Sequence, residues 1–365
     1  MILKSLVFAT AAVAYVVASS CDTIEWTGGP IEFPSPEIKS MYKSSGKYDP
    51  RHLIATRGQI FQNDLYVALP RYKPGVAVTL AKVCLKTTAC EAVLTPFPCL
   101  SSQEIGNCEA LQNVVDLFVD PYGILWALDI GVVNTLEHPV RKAPPKVVAY
   151  NLNTGKRVKN VDLSGLVVKA SRLQYVLVEY DVKGKPTVYV IDGATRSILV
   201  VDVAANKSYR VVLPNAVVGN KRDVLYAVLV QKGCGNNFII LTYLSSNKIF
   251  SIRTDYLRAG CVQGKIESVG VKDCKLVVLG TDGGSAVFFR PEGEQEVYRW
   301  DTNEPFALGK PVYVSPPCHL ATHVVPDYLR RKMRVLQSNF PDYIQNTVGC
   351  GASQLVSLMV SELPK

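Results

Sequence analysis

The sequence predicts an all-β protein, and more narrowly a six-bladed β-propeller. Short apolar runs separated by small turn-forming clusters, as in KPTVYVIDGATRSILVVDVAANKSYRVVL at 185–213, favour paired strands over helices. The pattern also repeats: Lys146, Ser197 and Lys248 each begin or immediately precede such a run, and each lies 51 residues after the one before. A four-stranded blade takes about 40 to 50 residues, so this spacing indicates one blade per repeat.

Weaker copies of the pattern raise the predicted number of blades to six. They lie at 58–72, 275–300 and 333–340. A closed propeller keeps 365 residues in one domain, and the 48% of hydrophobic residues are enough for a large core. An ordinary pair of β-sandwiches with chance spacing is the alternative interpretation.

The first 20 residues are expected to be a secretory signal peptide. They contain one lysine, Lys4, then an apolar core from Leu6 to Ala18, and small residues before Cys21. This core is shorter than the roughly 20 residues of a membrane-spanning helix. No other segment qualifies as a membrane span, so the sequence predicts a secreted, extracellular protein.

The predicted domain organisation is a signal peptide at 1–20, an extended N-terminal strap at 21–50 and a propeller domain at 51–365. The prolines and paired glycines of the second segment favour an extended chain over the surface rather than a blade. Whether the strap plugs the central channel is left open at this point.

The charge pattern bears on the partners of the protein. The formal net charge is +9, and removal of Lys4 with the signal would make it +8. The excess favours acidic or matrix partners by long-range attraction. Because the lysines and arginines are scattered rather than clustered, nucleic-acid binding has little support.

Ten cysteines in a secreted chain indicate disulfides. Cys84 and Cys90 flank LKTTA, and Cys99 and Cys108 flank LSSQEIGN, so both pairs are spaced for local loop clips, although spacing does not determine connectivity. Asn206 begins the only N-glycosylation sequon, in a turn between two predicted strands.

Known catalytic and metal-binding motifs are missing from the sequence, which has no GxSxG, HExxH, P-loop or CxxC pattern. His319 and His323 stand four apart and could hold a metal with Asp327 on a helical turn, but Pro326 interrupts any helix there. No metal or cofactor is therefore expected, and the histidines are interpreted as surface or loop residues.

Three aspartates stand at the ends of repeat strands, each followed by Gly or by Ile-Gly: Asp129, Asp192 and Asp282. We expect them on one face of the propeller, at a mouth of its channel. One interpretation is turn chemistry, in which each carboxylate accepts a hydrogen bond from the following backbone. The other is a site for a cationic aromatic amine, if the carboxylates converge with aromatic residues such as Tyr175 or Phe306.

A longer stretch carries a family resemblance. The segment from CEALQNVVDLFVDPYGILWALDIG to VKNVDLSGLV, at 108–167, resembles the Yellow and major royal jelly protein family of insects. The resemblance begins at LPRYKPGVAVTL, continues through SRLQYVLVEYD and VYVIDGATRSILVVDV, and covers about residues 50 to 300. The family fold is a six-bladed β-propeller, which agrees with the repeat count.

The chain departs from the family pattern in places. It has Ala143, Pro144 and Pro145 where the family usually has Cys-Pro-Pro, and the cysteine often found ahead of the VYVID-like strand is also absent, with Lys185 and Pro186 nearby. The opening EWTGGPIEFPSPEIKSMYKSSGKY and the stretch NTLEHPVRKAPPK are most similar to the eggshell-associated yellow-g branch.

The resemblance implies three functions. Some relatives are implicated in dopachrome conversion during melanin formation, some salivary relatives bind biogenic amines, and the eggshell branch is linked to hardening or pigmentation of the egg's outer layers. We expect an extracellular-matrix protein of the eggshell type, with matrix or eggshell proteins as partners. A dopachrome-converting enzyme and an amine-binding module are the alternatives.

The resemblance also implies site residues, although no residue set for catalysis is identified. Thr281, Asn303 and Phe306 fall where amine-binding relatives carry their ligand contacts. With the three aspartates and Tyr175 they make up the expected ligand-binding set.

Overall fold

A computed structural model describes residues 22–86, 91–232, 236–359 and 363. The described chain forms six four-stranded antiparallel sheets and a small two-stranded one, with short helices between them. The innermost strand of each sheet contacts the innermost strands of the sheets on either side, so the six sheets are the blades of a closed ring. The predicted six-bladed propeller is confirmed.

The strands run from β1 to β26 along the chain, and the first three complete blades take up β2 to β15. β1 is Thr23–Thr27. Blade one contains β2 (Arg57–Phe61), β3 (Asp64–Ala68), β4 (Leu80–Cys84) and β5 (Thr95–Pro96). Blade two contains β6 (Val114–Val119), β7 (Ile124–Asp129), β10 (Lys146–Asn151) and β11 (Lys156–Asp162), with the hairpin β8 (Val132–Val133) and β9 (Val140–Arg141) inserted. Blade three contains β12 (Leu173–Tyr180), β13 (Pro186–Asp192), β14 (Ser197–Asp202) and β15 (Lys207–Val212).

The remaining blades complete the ring. Blade four contains β16 (Leu225–Lys232), β17 (Asn236–Tyr243), β18 (Lys248–Arg253) and β19 (Glu267–Val271). Blade five contains β20 (Leu276–Thr281), β21 (Ala286–Pro291), β22 (Glu296–Asp301) and β23 (Pro311–Val314). Blade six contains β24 (Leu320–Asp327), β25 (Lys332–Ser338), β26 (Ala352–Leu358) and, as its outermost strand, β1.

The predicted repeat marks one structural position. Lys146, Ser197 and Lys248 are the first residues of β10, β14 and β18, which are the third strands of blades two, three and four. The middle strands of these blades are almost wholly buried, whereas the outermost strands β11 and β15 are largely exposed. Strands covered on both faces read as continuous apolar runs, which is why the third strands gave the clearest sequence signal.

The described part of the segment 21–50 differs from the expected extended strap. Its strand β1 belongs to a blade, because it pairs with β26, with Trp26 opposite Ser353. Its second half contains the helix α1 (Pro36–Ser44), where the Ser35 side chain accepts a hydrogen bond from the Ile38 N–H. Ser35 followed by proline is a favourable helix start, since serine caps the free N–H groups and proline has none to lose.

The other helices are short, and none dominates a layer of the fold. They are α2 (Thr254–Arg258) and α3 (Phe340–Gln345), with 3₁₀ turns at Pro50–His52, Ser101–Gln103 and Ser164–Leu166. No helix in the described ranges is long and apolar enough to cross a membrane.

The predicted disulfide clips are not present in the described part of the chain. Cys99 and Cys108 are exposed free thiols, and so is Cys84, while Cys90 lies outside the described residues. Side chains hold the loop between Cys99 and Cys108 instead. The buried Gln103 side chain donates to the carbonyl oxygens of Leu80 and Phe97 and accepts from two backbone N–H groups of blade one, so the loop is anchored without a bridge.

Asn206 lies where the sequence predicts it. It is exposed, in the turn between β14 and β15, with a left-handed φ of 51° that asparagine tolerates well. Attachment of a glycan there stays a prediction.

Removing packing from β1 should weaken the whole ring. Ile24 is 1% exposed and packs in the core shared by blades one and six. Replacing a buried isoleucine with alanine costs about 2 to 5 kcal/mol, so Ile24→Ala should lower the free energy of unfolding in urea by that amount. Thr23→Ala, at an exposed position of the same strand, should change it by less than about 0.5 kcal/mol. Similar losses in the two variants would contradict the packing described for β1.

Candidate functional site in the central channel

The inner strands of all six blades surround a cavity of about 880 Å³. A volume of several hundred Å³ is typical of pockets that bind small molecules. Aliphatic side chains of the inner strands form a large part of the wall, between polar and aromatic ones. These wall residues include Leu117, Val176, Val178, Leu229, Val278 and Val324.

A polar layer lies at the end of the channel where the inner strands begin. Its centre is Arg57, the first residue of β2. The Arg57 guanidinium donates to the Tyr175 hydroxyl on blade three at 3.0 Å and to the Thr322 carbonyl oxygen on blade six at 3.1 Å. The Tyr175 ring packs against the Tyr226 ring of blade four, with centroids 5.9 Å apart. Arg57 therefore spans the channel and forms its floor.

Asp116 lies beside Arg57 on blade two. One carboxylate oxygen accepts a hydrogen bond from the Val176 N–H at 2.9 Å, and the other is 3.7 Å from Arg57 Nε, too far for a good hydrogen bond. Burial raises the pKa of Asp116 to about 6, although the Arg57 charge and the Val176 N–H act in the opposite direction. Asp116 can therefore gain or lose a proton near neutral pH.

His323 lies on the blade six side of Arg57. Its Nδ1 accepts a hydrogen bond from the Gly58 N–H at 3.2 Å, so the proton of the neutral ring is on Nε2. Burial, together with the Arg57 charge, lowers the pKa of His323 well below its usual range. On the neighbouring inner strand β20, Gly280 leaves room for the backbone of β24: a side chain there would meet the Val324 carbonyl oxygen at 2.2 Å.

The opposite end of the channel is open and lined by aromatic residues. Tyr122 and Tyr180 form an edge-to-face pair with centroids 4.7 Å apart, and Tyr122 is 61% exposed. Phe61 and Tyr328 lie on the same rim, at the ends of inner strands of blades one and six. A flat aromatic ligand could stack on these side chains as it enters.

Two further carboxylates line the channel, but both are fully engaged. Asp120 accepts hydrogen bonds from the Tyr122 and Ile124 N–H groups, from the Trp126 indole and from the Tyr180 hydroxyl. Because these four donors occupy its carboxylate, Asp120 has no remaining role for a ligand.

Glu179 is the second of these carboxylates. Its oxygens accept from the Tyr189 and Thr254 hydroxyls, the Asn237 amide and the Arg258 guanidinium. The side chain is only 2% exposed and pairs directly with the Arg258 charge. It therefore holds blades three and four together rather than offering a free charge to the channel.

The structure does not bring the three predicted aspartates together. Asp129 and Asp192 end β7 and β13, which are second strands rather than inner ones, and both are fully buried away from the channel. Asp282 follows the inner strand β20. Because first and second strands run antiparallel, Asp282 lies on the opposite face from the other two, and the expectation of a shared face is wrong.

Each of these three aspartates accepts a hydrogen bond from the backbone of the turn that follows it. Asp129 accepts from the Gly131 N–H, Asp192 from the Ala194 N–H, and Asp282 from the Gly284 N–H. In each case the acceptor and donor residues are two apart, as in an Asx turn.

The other predicted ligand residues divide into two groups. Tyr175 and Thr281 line the channel. Phe306 instead packs among Phe289, Trp300 and Gly270 of an outer strand, at a gap of only about 20 Å³ between blades four and five. Asn303 is exposed in the turn after β22.

Of the two histidines considered as metal ligands, one lies where the sequence predicts it and the other does not. His319 lies in a loop, as predicted, whereas His323 is on β24 and is only 8% exposed, so its interpretation as a surface residue is wrong. Among the residues that the structure describes, no three His, Cys, Asp or Glu side chains group as a metal site.

The sequence profile of a family described as "Major royal jelly protein" matches residues 112–359. The chain belongs to the major royal jelly protein family. Proteins of this family are secreted, which fits the expected signal peptide, whose residues lie outside those described.

Two members of the family show the degree of likeness. Protein yellow of Drosophila melanogaster is 27% identical over 143 residues, which are 39% of this chain and 26% of that protein. Protein yellow of Drosophila subobscura is 27% identical over 169 residues, or 44% of this chain and 30% of that protein. The matched region thus spans less than a third of these relatives.

A solved structure supports the fold alone. An α-L-arabinofuranosidase from Fusarium graminearum, determined as a mutant with an iminosugar inhibitor, superposes with a TM-score of 0.53. The superposition covers 92% of this chain and 98% of that one, at 10% sequence identity.

Of the three floor residues, the sequence analysis does not identify Arg57 or Asp116, and it considers His323 only as a metal ligand or a surface residue. The sequence does contain a signal for two of them. Asp116 and His323 each stand inside an apolar run, four residues before an aspartate at the end of an inner strand: Asp120 follows β6, and Asp327 ends β24. A charged or imidazole side chain in the middle of an apolar strand is an informative exception, because such side chains are rarely buried without a role. Arg57 has no such marker.

Proposed function

We propose that this major royal jelly family protein is a secreted insect protein whose channel binds a small aromatic molecule bearing a carboxylate or quinone oxygens. Dopachrome, which has both, represents this class. We further propose that the protein acts in the hardening or pigmentation of an extracellular layer, of which the eggshell is the leading candidate. The observation that carries the ligand proposal is the incompletely paired charge of Arg57 at the channel floor.

Arg57 has neutral hydrogen-bond acceptors but no close carboxylate. Its two hydrogen bonds go to a hydroxyl and a backbone carbonyl, and the Asp116 oxygen stays 3.7 Å away. A buried guanidinium is stabilised strongly by a charge-assisted hydrogen bond to an anionic oxygen. A ligand carboxylate would supply that bond, and a quinone oxygen would supply a further neutral acceptor.

An amine ligand fits this channel less well. A cationic amine needs a carboxylate that is free to pair with its ammonium group. Asp120 and Glu179 already accept a full set of hydrogen bonds, and Asp116, the remaining channel carboxylate in the described residues, lies beside the Arg57 charge. An ammonium group there would be repelled by Arg57, so we keep amine binding as the second candidate only.

The eggshell part of the proposal rests on the resemblance of the N-terminal segment and of the stretch at 134–146 to the eggshell-associated branch. The net charge of +9 supports long-range attraction to acidic components of a matrix. Matrix or eggshell proteins are therefore the proposed partners.

Arg57→Met should weaken binding of an anionic aromatic ligand about 10- to 100-fold, because a charged hydrogen bond contributes about 1.5 to 3 kcal/mol. Calorimetric titration with dopachrome, or with indole-2-carboxylate as a stable analogue, measures this. Arg57→Lys should bind with intermediate affinity. Arg157→Met, the same change on the outer strand β11, should bind like the unaltered protein.

Titration with dopamine and serotonin separates the two candidates. We expect both amines to bind more weakly than the carboxylate and to be insensitive to Arg57→Met. Tight amine binding together with no carboxylate binding, in protein shown to be folded by circular dichroism, would contradict the proposal and favour the amine-binding alternative.

Antibody staining of tissue sections tests the location. The proposal predicts labelling of the forming eggshell in ovaries, outside the cells that secrete it. Labelling confined to other cuticle or to salivary tissue, with unlabelled ovaries, would overturn the eggshell assignment while leaving the ligand proposal standing.

A further inference from the structure

We infer that three loops around blade three form a docking surface for a segment of a matrix protein in which acidic and apolar residues alternate. The loops are 163–172, 193–196 and 213–224, and all lie on the face of the ring where the inner strands begin. They contain five cationic residues, which we call the basic cluster: Lys169, Arg172, Arg196, Lys221 and Arg222. The inference rests on the matrix partner in the proposed function and is independent of the channel ligand.

The positive charge of the basic cluster is not balanced within its loops. Asp223 is the one acidic residue of the three loops. It is 9% exposed, and its carboxylate accepts from the Val224 and Ser245 N–H groups and from the Ser245 hydroxyl. Asp162, just before the first loop, accepts from the Ser164 N–H and hydroxyl. The surface therefore presents five positive charges and at its border one exposed negative charge.

Hydrogen bonds join the three loops into one continuous surface. The Arg172 guanidinium in the first loop donates to the Asp223 carbonyl oxygen in the third. The Arg172 carbonyl oxygen accepts from the Gly193 N–H of the second loop at 3.1 Å. Arg196 Nε in the second loop donates to the Leu213 carbonyl oxygen of the third at 3.0 Å. The fold thus gathers cations that are scattered in the sequence.

The basic cluster has hydrogen-bonding capacity left for a partner. Lys169, Lys221 and Arg222 are exposed and take part in none of the ion pairs within the described residues. Arg172 Nε is also without a hydrogen-bond partner there. Guanidinium and ammonium groups form strong charge-assisted hydrogen bonds with carboxylates. Glutamate or aspartate side chains of a partner would complete these bonds.

Exposed valines indicate which kind of acidic partner fits. Val168, next to Lys169, is 49% exposed, Val218 in the third loop is 58% exposed, and Val212 at the end of β15 is 56% exposed. A protein segment with apolar side chains between its acidic ones would cover these valines as well as pair with the cations. A sulfated polysaccharide is polar along its whole length and would leave the valines in contact with water.

Docking on this face leaves the channel accessible. Tyr122 and Tyr328 lie on the rim beyond the ends of inner strands, which is the opposite face of the ring. A protein held in a matrix through its basic cluster could therefore still take up its channel ligand.

Charge reversal in the full secreted protein tests the surface, with a fluorescein-labelled peptide of alternating glutamate and valine as the probe. The test variant changes three exposed cations of the basic cluster: Lys169→Glu, Lys221→Glu and Arg222→Glu. The control variant makes the same change in net charge at exposed positions on the opposite face of blade three: Lys183→Glu, Lys185→Glu and Lys207→Glu. Fluorescence anisotropy measures affinity, and circular dichroism verifies folding.

The test variant should bind the peptide about 30-fold or more weakly, because like charges at an interface repel. The control variant should stay within about threefold of the unaltered protein, since its changed charges lie more than a screening length of about 10 Å from the peptide. A peptide with serine in place of valine should bind about threefold or more weakly, because it buries less apolar surface.

Equal losses in the two variants, or no peptide binding by the unaltered protein at low salt, would overturn the inference. Heparin binding that requires the basic cluster, without peptide binding, would also overturn it and assign the surface to a sulfated polysaccharide. Titration with indole-2-carboxylate keeps the two proposals apart. The test variant should bind this channel ligand like the unaltered protein, and a protein that fails to bind it while binding the peptide would contradict the channel proposal alone.

Discussion

Everything in this structure depends on closing a ring whose two ends come from the two ends of the chain. β1 pairs with β26 along five residues, across more than 300 positions of sequence, and completes blade six against blade one. Only in a closed ring do the inner strands β2 and β24 become neighbours. That neighbourhood lets the Gly58 N–H reach His323 and lets Arg57 reach the Thr322 carbonyl, so the polar floor of the channel is a consequence of closure.

Burying the polar side chains of the channel floor costs free energy. The hydrogen bonds that these side chains make or lack indicate what offsets that cost. A guanidinium and a carboxylate taken out of water are stabilised only when their hydrogen bonds are met. Asp120 and Glu179 meet this condition with four donors each, which makes them structural. Arg57, Asp116 and His323 do not, since each keeps an unused or poorly used polar atom toward the cavity. Incomplete satisfaction at buried positions is expected of a binding site.

The sequence predicts the architecture more completely than it predicts the site. The 51-residue spacing was visible because third strands such as the one beginning at Lys146 are covered on both faces and are uniformly apolar. The sequence predicts the wrong face for Asp282, because first and second strands can both lead into a turn with an aspartate near glycine, and only the sheet order tells the two apart. The sequence does not predict β1 as part of a blade, because the strand that it pairs with, β26, lies more than 300 residues away along the chain. Arg57 contacts blades three and six, and no local pattern contains that information.

The central claim is that Arg57 at the channel floor holds an oxygen of an aromatic ligand. A crystal structure of the protein with indole-2-carboxylate tests it most directly. The account predicts density for the ligand within the channel, with its carboxylate within about 3 Å of the Arg57 guanidinium and its ring toward Tyr122 and Tyr180. A ligand bound between blades four and five near Phe306, or one in the channel with its carboxylate turned away from Arg57, would contradict it.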